Sequence, residues 1–392
     1  MDTQPDTPLD PETFQLLLAS VQRFVQERLI PAEDTVEAND AIPADILDDM
    51  QEMGLYGLSI PEQYGGIGLS MLQECQVIYE LGHTAPAFRS AVGTNIGIGS
   101  QGILMDGTDE QKAWYLPRIA SGELIISFAL TEPEAGSDAA SLQARAVVDN
   151  GNYRISGTKR FITNAPRAGA FTLMARTPDD GKDSISAFIV PADSPGLSLG
   201  PNDKKMGQRG AHTCDVHLDN VPVPAENIIG GKPGNGFRTA MKVLDRGRLH
   251  ISALACGMAN RILQESIAYA RDRKQFGQPI GHFQLVQAML ADSQAEQLAA
   301  WALVQDVARA YDAKPAGKRD ASISMQASCA KMFSTEMVGR VADRGVQVHG
   351  GAGYINDYKV ERFYRDVRLF RLYEGTTQIQ QLVIGRHLMK DD

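Results

Sequence analysis

Helix-like and strand-like segments occupy separate stretches of this chain and do not alternate along it. Residues 10–124 have the pattern of helices, because apolar residues recur there at helical spacing. The pattern is clearest at Phe14, Leu17, Leu18, Val21, Val25 and Leu29, after which Pro31 is expected to end the helix. Further helices are expected near residues 43–53, 70–83, 90–105 and 109–121, with Asp109 as a cap for the last. A doubly wound sheet needs strands that alternate with helices, so this order argues against that class.

The middle of the chain, from about residue 125 to 236, has the pattern of short strands. Apolar runs or alternating apolar and polar residues mark segments 124–130, 152–163, 184–190 and 213–221. Turn residues separate them at Asp149-Asn150-Gly151, at residues 178–181 and at Ser194-Pro195-Gly196. Short strands with regular turns predict a barrel or a sandwich.

A glycine-rich loop at residues 230–236 precedes a second helical region. Helices are expected at residues 237–272, 282–312, 318–347, 358–369 and 377–389. Long helices joined by short loops favour an antiparallel bundle. The sequence therefore predicts a multidomain α+β protein with domains at residues 1–124, 125–236 and 237–392.

Composition and charge narrow the class of function. The chain has 392 residues, with 38 basic and 48 acidic side chains and a net charge of −10. Such a surface repels nucleic acid and anionic lipid in general, although it allows a local basic pocket. The four cysteines lie far apart and pair with no histidine at metal-ligand spacing, which indicates reduced thiols and no metal site.

The ends and apolar runs of the sequence point to a cytoplasmic protein. Residues 1–11 carry three Asp and no basic residue, the wrong sign for a signal or transit peptide. No run approaches the ~20 apolar residues that a membrane-spanning helix needs. We therefore expect a cytoplasmic location without membrane insertion.

Two motifs are weak by themselves. Residues 97–102 match G-x-G-x-x-G, but they lie in a helix-rich region where small-residue packing is the better interpretation. His349, in Gln-Val-His-Gly-Gly, is either a base or a packing residue. No Walker loop, H-E-x-x-H or G-x-S-x-G is present.

Five other motifs each allow a binding interpretation beside a structural one. Residues 131–138, Thr-Glu-Pro-Glu-Ala-Gly-Ser-Asp, either bind an anion or ring edge through free N–H groups and hydroxyls, or form a turn. Phe161 and Thr163, two apart on a strand, either hold a planar cofactor or belong to the core. Residues 271–277 contain arginines that suit either a pyrophosphate or a helix end. Residues 347–353 are glycine-rich, which suits either a helix end or a ligand that approaches the backbone.

The last motif, residues 373–380, contains Glu374. Thr377 and Gln380 are expected to form a capping box for the final helix. Glu374 lies just outside this box and, taken alone, is a solvated loop carboxylate.

The five motifs together resemble the acyl-CoA dehydrogenase family, over residues 12–389. The resemblance implies an N-terminal helical domain, a middle β-barrel and a C-terminal four-helix bundle. It also implies non-covalent FAD, an acyl-CoA substrate, electron-transferring flavoprotein as the acceptor and a homo-oligomer, in most members a tetramer.

The resemblance also implies roles for individual residues. Those expected near the flavin of the same subunit are Phe128, Leu130, Thr131, Gly136, Ser137, Phe161, Thr163, Thr376 and Gln378. Those expected at the FAD of a neighbouring subunit, across an interface, are Arg273, Phe276, Gln347 and Gly351. Those expected at the CoA thioester are Ser137, Asp245, Arg248 and Gly375.

Glu374 is the catalytic base that the resemblance implies. Some members take their base from an earlier helix instead, at the position that is Gly247 here and has no side chain. The implied reaction is α,β-dehydrogenation to a trans-2-enoyl-CoA, in which Glu374 removes the α-proton. Exclusion of water is expected to raise the pKa of Glu374 toward neutrality.

The substrate is less constrained than the reaction. Residues 88–91, Phe-Arg-Ser-Ala, resemble the glutaryl-CoA dehydrogenase branch, in which an arginine at the position of Arg89 anchors a distal carboxylate. A serine expected shortly afterwards is replaced by Gly93, and a surface arginine is the favoured interpretation, because isolated arginines are mostly exposed. An acyl-CoA oxidase and a catalytically silent acyl-CoA-binding subunit are the alternative functions.

Overall fold

The N-terminal part of the computed structural model is helical. The structure describes residues 9–178, 184–314 and 320–390. The helices are α1 (Pro11–Phe24), α2 (Ile30–Asn39), α3 (Ala44–Glu52), α4 (Met71–Leu81), α5 (Pro86–Gly93), α6 (Gln101–Asp106) and α7 (Asp109–Ala120).

Three expectations for this part are wrong in detail. Pro31 does not end the first helix; a π-turn at Val25–Leu29 leads into α2, where the missing N–H of Pro31 is tolerated in the first turn. The cap of α7 is Thr108, which forms a capping box with Gln111, and Asp109 is the first helical residue. The helix expected at 90–105 is α5 and α6 joined by a π-turn at Thr94–Gly99.

The middle part is a curled seven-stranded sheet, as the barrel prediction requires. Its strands are β1 (Ile126–Ala129), β2 (Arg145–Asp149), β3 (Asn152–Thr163), β4 (Ala170–Arg176), β5 (Ile185–Pro191), β6 (Leu197–Leu199) and β7 (Thr213–Val223). The strand order is β1-β4-β2-β3-β7-β6, with β5 paired to β4 and a parallel pair between β1 and β4. The sequence pattern missed β2, β4 and β6. The turn expected at 178–181 lies mostly outside the described residues.

The C-terminal part is a helical bundle. Its helices are α8 (Gly236–Asp272), α9 (Gln284–Ala313), α10 (Ala321–His349), α11 (Lys359–Val367) and α12 (Thr377–Leu388). A two-stranded hairpin, β8 (Lys274–Gln275) and β9 (Gln278–Pro279), separates α8 from α9. Helix α10 packs against α8, α9 and α12, and α8 also packs against α4 of the N-terminal part. The three-part organisation is thereby confirmed, while the domain bounds remain predictions.

One apolar core joins the two helical parts, and two smaller cores flank the sheet. The four cysteines are free thiols, and all but Cys329 are buried. Within the described ranges, no helix is long and apolar enough to cross a bilayer.

Candidate active site

Glu374 lies in a backbone turn whose carbonyl groups accept hydrogen bonds from two side chains. Both Glu374 and Gly375 adopt left-handed conformations, with φ of 54° and 86°. A non-glycine residue in this region is strained and is mostly found where the surrounding structure requires it. The side-chain amide of Gln380 donates to the carbonyls of Glu374 and Gly375, at 3.0 and 2.9 Å. Gln380 thus anchors the turn instead of closing a capping box.

The cap of the last helix is Thr376, not Thr377. The Thr376 hydroxyl accepts from the Ile379 N–H at 3.3 Å, and Thr377 is the first helical residue. The Thr377 hydroxyl donates to Glu336 of α10 at 2.7 Å. Gln378, expected at the cofactor, is exposed on α12. Thr376 and Thr377 both carry a hydroxyl that can accept from the free N–H groups of the helix start. The sequence pattern therefore does not tell which of the two is the cap.

A buried lysine completes the support of this turn. The Lys331 ammonium, on α10, donates to the Gly375 carbonyl at 2.8 Å. Its side chain is fully buried, and burial lowers the pKa of Lys331 to about 8. Lys331 carries no motif that marks it in the sequence, because its partner lies 44 residues away in the chain.

A narrow cavity connects Glu374 with α5 and with the end of β3. It holds about 540 Å³ of space, its open mouth included, and Arg89, Thr163, Tyr373 and Glu374 are among its lining residues. Asn164, at the end of β3, donates to the Ser90 carbonyl at 2.8 Å and to the Thr94 hydroxyl at 2.9 Å. The end of the strand is thereby tied to the helix that carries Arg89.

The carboxylate of Glu374 has the properties expected of a base. Its Oε2 atom is shielded from solvent and has no hydrogen-bond partner within the part of the chain that the structure describes. Burial raises the pKa of Glu374, while the cations Arg89, Arg248 and Lys331 act in the opposite direction. The pKa of Glu374 is therefore raised, as the sequence analysis predicts. A carboxylate with a raised pKa accepts a proton more readily near neutral pH.

Gly247 of α8 faces this carboxylate. A Cβ atom at Gly247 would lie 2.6 Å from Glu374 Oε2, closer than real Cβ atoms approach. A side chain at this position and the present position of Glu374 therefore exclude each other.

Arg89 is not a surface residue, so the favoured sequence interpretation was wrong. Only 8% of Arg89 is exposed, and its Nη2 lies 3.3 Å from Nδ1 of His250 on α8. Its Nε atom has no partner among the described residues. A Cβ atom at Gly93 would lie 2.8 Å from Nη1 of Arg89, so the glycine that replaces the expected serine makes room for the guanidinium.

Asp245 and Arg248 lie one helical turn apart on α8 and form a buried ion pair at 2.6 Å. Asp245 also accepts from the Ser324 hydroxyl at 2.5 Å. Arg248 is close enough to Glu374 to lower its pKa, so the pair lies near Glu374.

The two strand ends expected to hold a flavin lie side by side. The Ser127 hydroxyl donates to the Thr163 carbonyl at 2.7 Å, and the Arg160 N–H donates to the Thr131 carbonyl at 2.8 Å. Phe161 has φ of 59° at a bulge in β3, and 57% of its surface is exposed. An exposed aromatic ring on a strained backbone indicates a binding face and not a core position.

A buried ion pair shapes the turn that follows β1. The Lys159 ammonium donates to Glu132 at 2.7 Å and to the Leu130 carbonyl at 3.2 Å. Glu132 in turn accepts from the Ala144 N–H at 3.0 Å. Leu130 and Phe128 are buried here, whereas Gly136 and Ser137 are exposed, and a Cβ atom at Gly136 would meet open space. Together with Phe161, this surface fits the edge and face of a planar cofactor such as FAD.

Of the thirteen predicted cofactor residues, Thr163 alone is among the described lining residues of this cavity. Four of the others also lie outside the strand ends and the Glu374 turn. Arg273 and Phe276 are exposed on the β8–β9 hairpin, and Gln347 and Gly351 are exposed at the end of α10; none of the four is among the cavity's described lining residues. His349 packs on the Tyr269 ring at 4.2 Å and bonds the Gly345 carbonyl, so packing is its observed role.

Three family models match consecutive parts of this chain. They describe the N-terminal, middle and C-terminal domains of acyl-CoA dehydrogenase and match residues 11–123, 127–221 and 234–389. The chain belongs to the acyl-CoA dehydrogenase family. Members of this family are FAD-dependent oxidoreductases, so this enzyme has FAD as its cofactor.

Individual relatives cover nearly the whole chain. A probable acyl-CoA dehydrogenase, YngJ, of Bacillus subtilis (strain 168) is 39% identical over 96% of this chain and 98% of its own. The caffeyl-CoA reductase-Etf complex subunit CarC of Acetobacterium woodii is also 39% identical, over 95% and 98% of the two chains. A solved glutaryl-CoA dehydrogenase from Mycobacterium smegmatis, in complex with FADH2, has a TM-score of 0.89 at 29% identity and covers 97% and 95%.

Proposed function

We propose that this acyl-CoA dehydrogenase family member removes the α- and β-hydrogens of an acyl-CoA thioester to form the trans-2-enoyl-CoA, with Glu374 as the base. The observation that supports this most strongly is Oε2 of Glu374, which has no hydrogen-bond partner among the described residues and lies in a cavity that Thr163, a proposed flavin residue, also lines. A buried carboxylate without a hydrogen-bond donor is costly, and such groups are found where chemistry uses them.

The turn around Glu374 also orients the thioester. An α-hydrogen is too weakly acidic for a carboxylate unless the thioester oxygen is polarised, and preorganised N–H donors are an efficient means of doing so. Gln380 and Lys331 hold the carbonyls of Glu374 and Gly375, which fixes the two peptide planes that follow Glu374 and so supports its left-handed turn. The N–H of Glu374 itself is the donor that we assign to the thioester oxygen, and we also assign Asp245 and Arg248 to contacts with the thioester.

Bound FAD would accept the electrons that leave with the β-hydrogen and would supply a ribityl hydroxyl as a second donor. We assign Phe128, Leu130, Thr131, Gly136, Ser137, Phe161, Thr163, Thr376 and Gln378 to FAD in the same subunit. Arg273, Phe276, Gln347 and Gly351 are assigned to the FAD of a neighbouring subunit in a homotetramer. Their exposure in a single subunit supports that assignment.

Electron-transferring flavoprotein is the proposed electron acceptor. A relative of this chain is named as a subunit of a reductase-Etf complex, which supports a partner of this kind. An oxidase is the alternative, and re-oxidation of the reduced flavin by oxygen distinguishes the two.

A specific observation favours an acyl group that ends in a carboxylate. Arg89 is buried, lines the same cavity as Glu374 and has an unpartnered Nε atom among the described residues. A buried guanidinium with free donors suits a carboxylate, which it binds through charge-assisted hydrogen bonds.

The test is anaerobic titration of the FAD-bound enzyme with a panel of acyl-CoAs, followed by flavin absorbance. The panel includes pentanoyl-CoA and glutaryl-CoA. Both acyl groups have five carbons, and only that of glutaryl-CoA ends in a carboxylate. We expect at least one acyl-CoA to bleach the flavin in the wild type and not in Glu374→Gln. A purified protein that is colourless, or a flavin that no acyl-CoA reduces, would contradict the proposal and favour a silent binding subunit.

A further inference from the structure

Arg89 contacts a neutral side chain that holds its guanidinium in place. Its Nη2 lies 3.3 Å from Nδ1 of His250, and both side chains are buried. A guanidinium has only donors and stays protonated in proteins, so Nδ1 is the acceptor in this contact. The ring of His250 is therefore neutral and carries its proton on Nε2.

Glu74 of α4 fixes this tautomer from the far side. Nε2 of His250 lies 2.6 Å from Oε2 of Glu74, so the ring donates to the carboxylate. Both side chains are fully buried, and burial lowers the pKa of His250. The ring thus faces one acceptor and one donor, and it can satisfy both only as the Nε2–H tautomer.

The charge of Glu74 is already matched by another residue. Oε1 of Glu74 accepts from Nη2 of Arg246, which lies one helical turn before His250 on α8. No ion pair joins Arg89 to a carboxylate within residues 9–178, 184–314 and 320–390. The negative charge of Glu74 is therefore balanced by Arg246, and the positive charge of Arg89 remains available to a ligand in the cavity.

We infer that His250, held by Glu74, is a positioning residue that aims Arg89 and thereby determines specificity for acyl-CoAs with a distal carboxylate. This inference rests on the proposed binding of an acyl-CoA in the Glu374 cavity. A neutral acceptor at Nδ1 occupies one edge of the guanidinium without neutralising it. The Nε edge then remains for the ligand, and a monocarboxylic acyl chain would meet an unpaired buried charge there.

Two substitutions at His250 separate the two hydrogen bonds. In His250→Asn the amide oxygen takes the place of Nδ1, so the acceptor for Arg89 is kept. In His250→Gln the amide reaches the place of Nε2, so the contact with Glu74 is kept and the acceptor for Arg89 is lost. The two variants place the same amide group at the same buried position and differ by one methylene, which makes each the control for the other.

The experiment measures the dissociation constants of glutaryl-CoA and pentanoyl-CoA by flavin absorbance. It uses FAD-bound enzyme with Glu374→Gln, so that neither ligand reacts. With His250 present we expect glutaryl-CoA to bind about tenfold tighter or more, as for a charged hydrogen-bonded pair. His250→Asn is expected to keep most of this ratio, and His250→Gln to reduce it below about threefold.

Equal binding of the two ligands with His250 present would overturn the inference, and so would an unchanged ratio in His250→Gln. Failure of the proposed reaction would show differently, as absent flavin reduction in the enzyme that retains Glu374. Neutron diffraction from perdeuterated wild-type crystals gives a second measurement that needs no variant. Deuterium on Nε2 and none on Nδ1 of His250 is expected, and deuterium on Nδ1 would overturn the inference.

Discussion

Two residues of opposite charge line the cavity and have similar surroundings. Glu374 faces Gly247, and Arg89 faces Gly93; each glycine leaves room that a Cβ atom would fill. Each charged side chain keeps an unpartnered polar atom among the described residues. Support comes from buried residues on neighbouring helices, Lys331 behind Glu374 and His250 behind Arg89.

The difference lies in the charge of the support. Lys331 is a cation that contacts the backbone beside Glu374 and lowers its pKa against the effect of burial. His250 is neutral and contacts the guanidinium directly, so the charge of Arg89 is undiminished. The first arrangement suits a group that must gain and lose a proton, and the second suits one that must stay charged and bind.

The largest effect is expected from removal of the base. Glu374→Gln is expected to keep bound FAD and to slow flavin reduction by about 10³-fold, the usual contribution of a general base. Stopped-flow absorbance under anaerobic conditions measures this rate. Glu123→Gln, at an exposed glutamate, is the control and should leave it unchanged.

A smaller loss is expected when the room for the base is filled. In Gly247→Ala the new Cβ would lie 2.6 Å from Glu374 Oε2, so the carboxylate must move. Displacement of a catalytic group by about 1 Å costs about 10²-fold in rate. Gly385→Ala on α12, where a Cβ atom meets open space, is the matched control. Equal rates in the two variants would mean that Glu374 reacts from another position.

At Arg89, the main effect is expected on recognition, beside a shift of the Glu374 ionisation to higher pH, because Arg89 also lowers the pKa of Glu374. Arg89→Gln should raise KM for glutaryl-CoA about tenfold or more, because a charge-assisted hydrogen bond is lost. KM for pentanoyl-CoA should stay the same or fall, because its chain no longer meets an unpaired buried charge. Steady-state kinetics with both thioesters measures the ratio, and an unchanged ratio would remove the functional distinction between Glu374 and Arg89.

The smallest effect is expected on pH dependence. Glu374 must be ionised to act, so flavin reduction should rise with pH, with a midpoint above the ordinary Glu pKa of 4.5. Lys331→Met removes a cation that favours the ionised form of Glu374, and it should move the midpoint to higher pH. Lys331→Arg keeps the charge and should move the midpoint less. A midpoint that moves to lower pH in Lys331→Met would show that Lys331 does not act on Glu374 through its charge.

The sequence was informative where a motif is continuous in the chain. The strand Asn152–Thr163 and the long helix after residue 236 follow directly from local periodicity, and Glu374 lies within one short motif. Lys331, His250 and Glu74 carry no such motif, because only tertiary packing brings their helices, α10, α8 and α4, to the site. The burial of Arg89 was misjudged for the same reason: the space over Gly93 is not visible in a linear pattern.

The most direct test of Glu374 as the base follows the α-hydrogen itself. Acetyl-CoA has an α-carbon and no β-carbon, so it cannot be oxidised, and exchange of its α-hydrogens with D2O reports proton removal alone. Mass spectrometry of acetyl-CoA incubated with FAD-bound enzyme in D2O measures this exchange. We expect deuterium incorporation by the wild type and only the enzyme-free rate with Glu374→Gln. Undiminished exchange with Glu374→Gln, or none with the wild type, would contradict the assignment of the base.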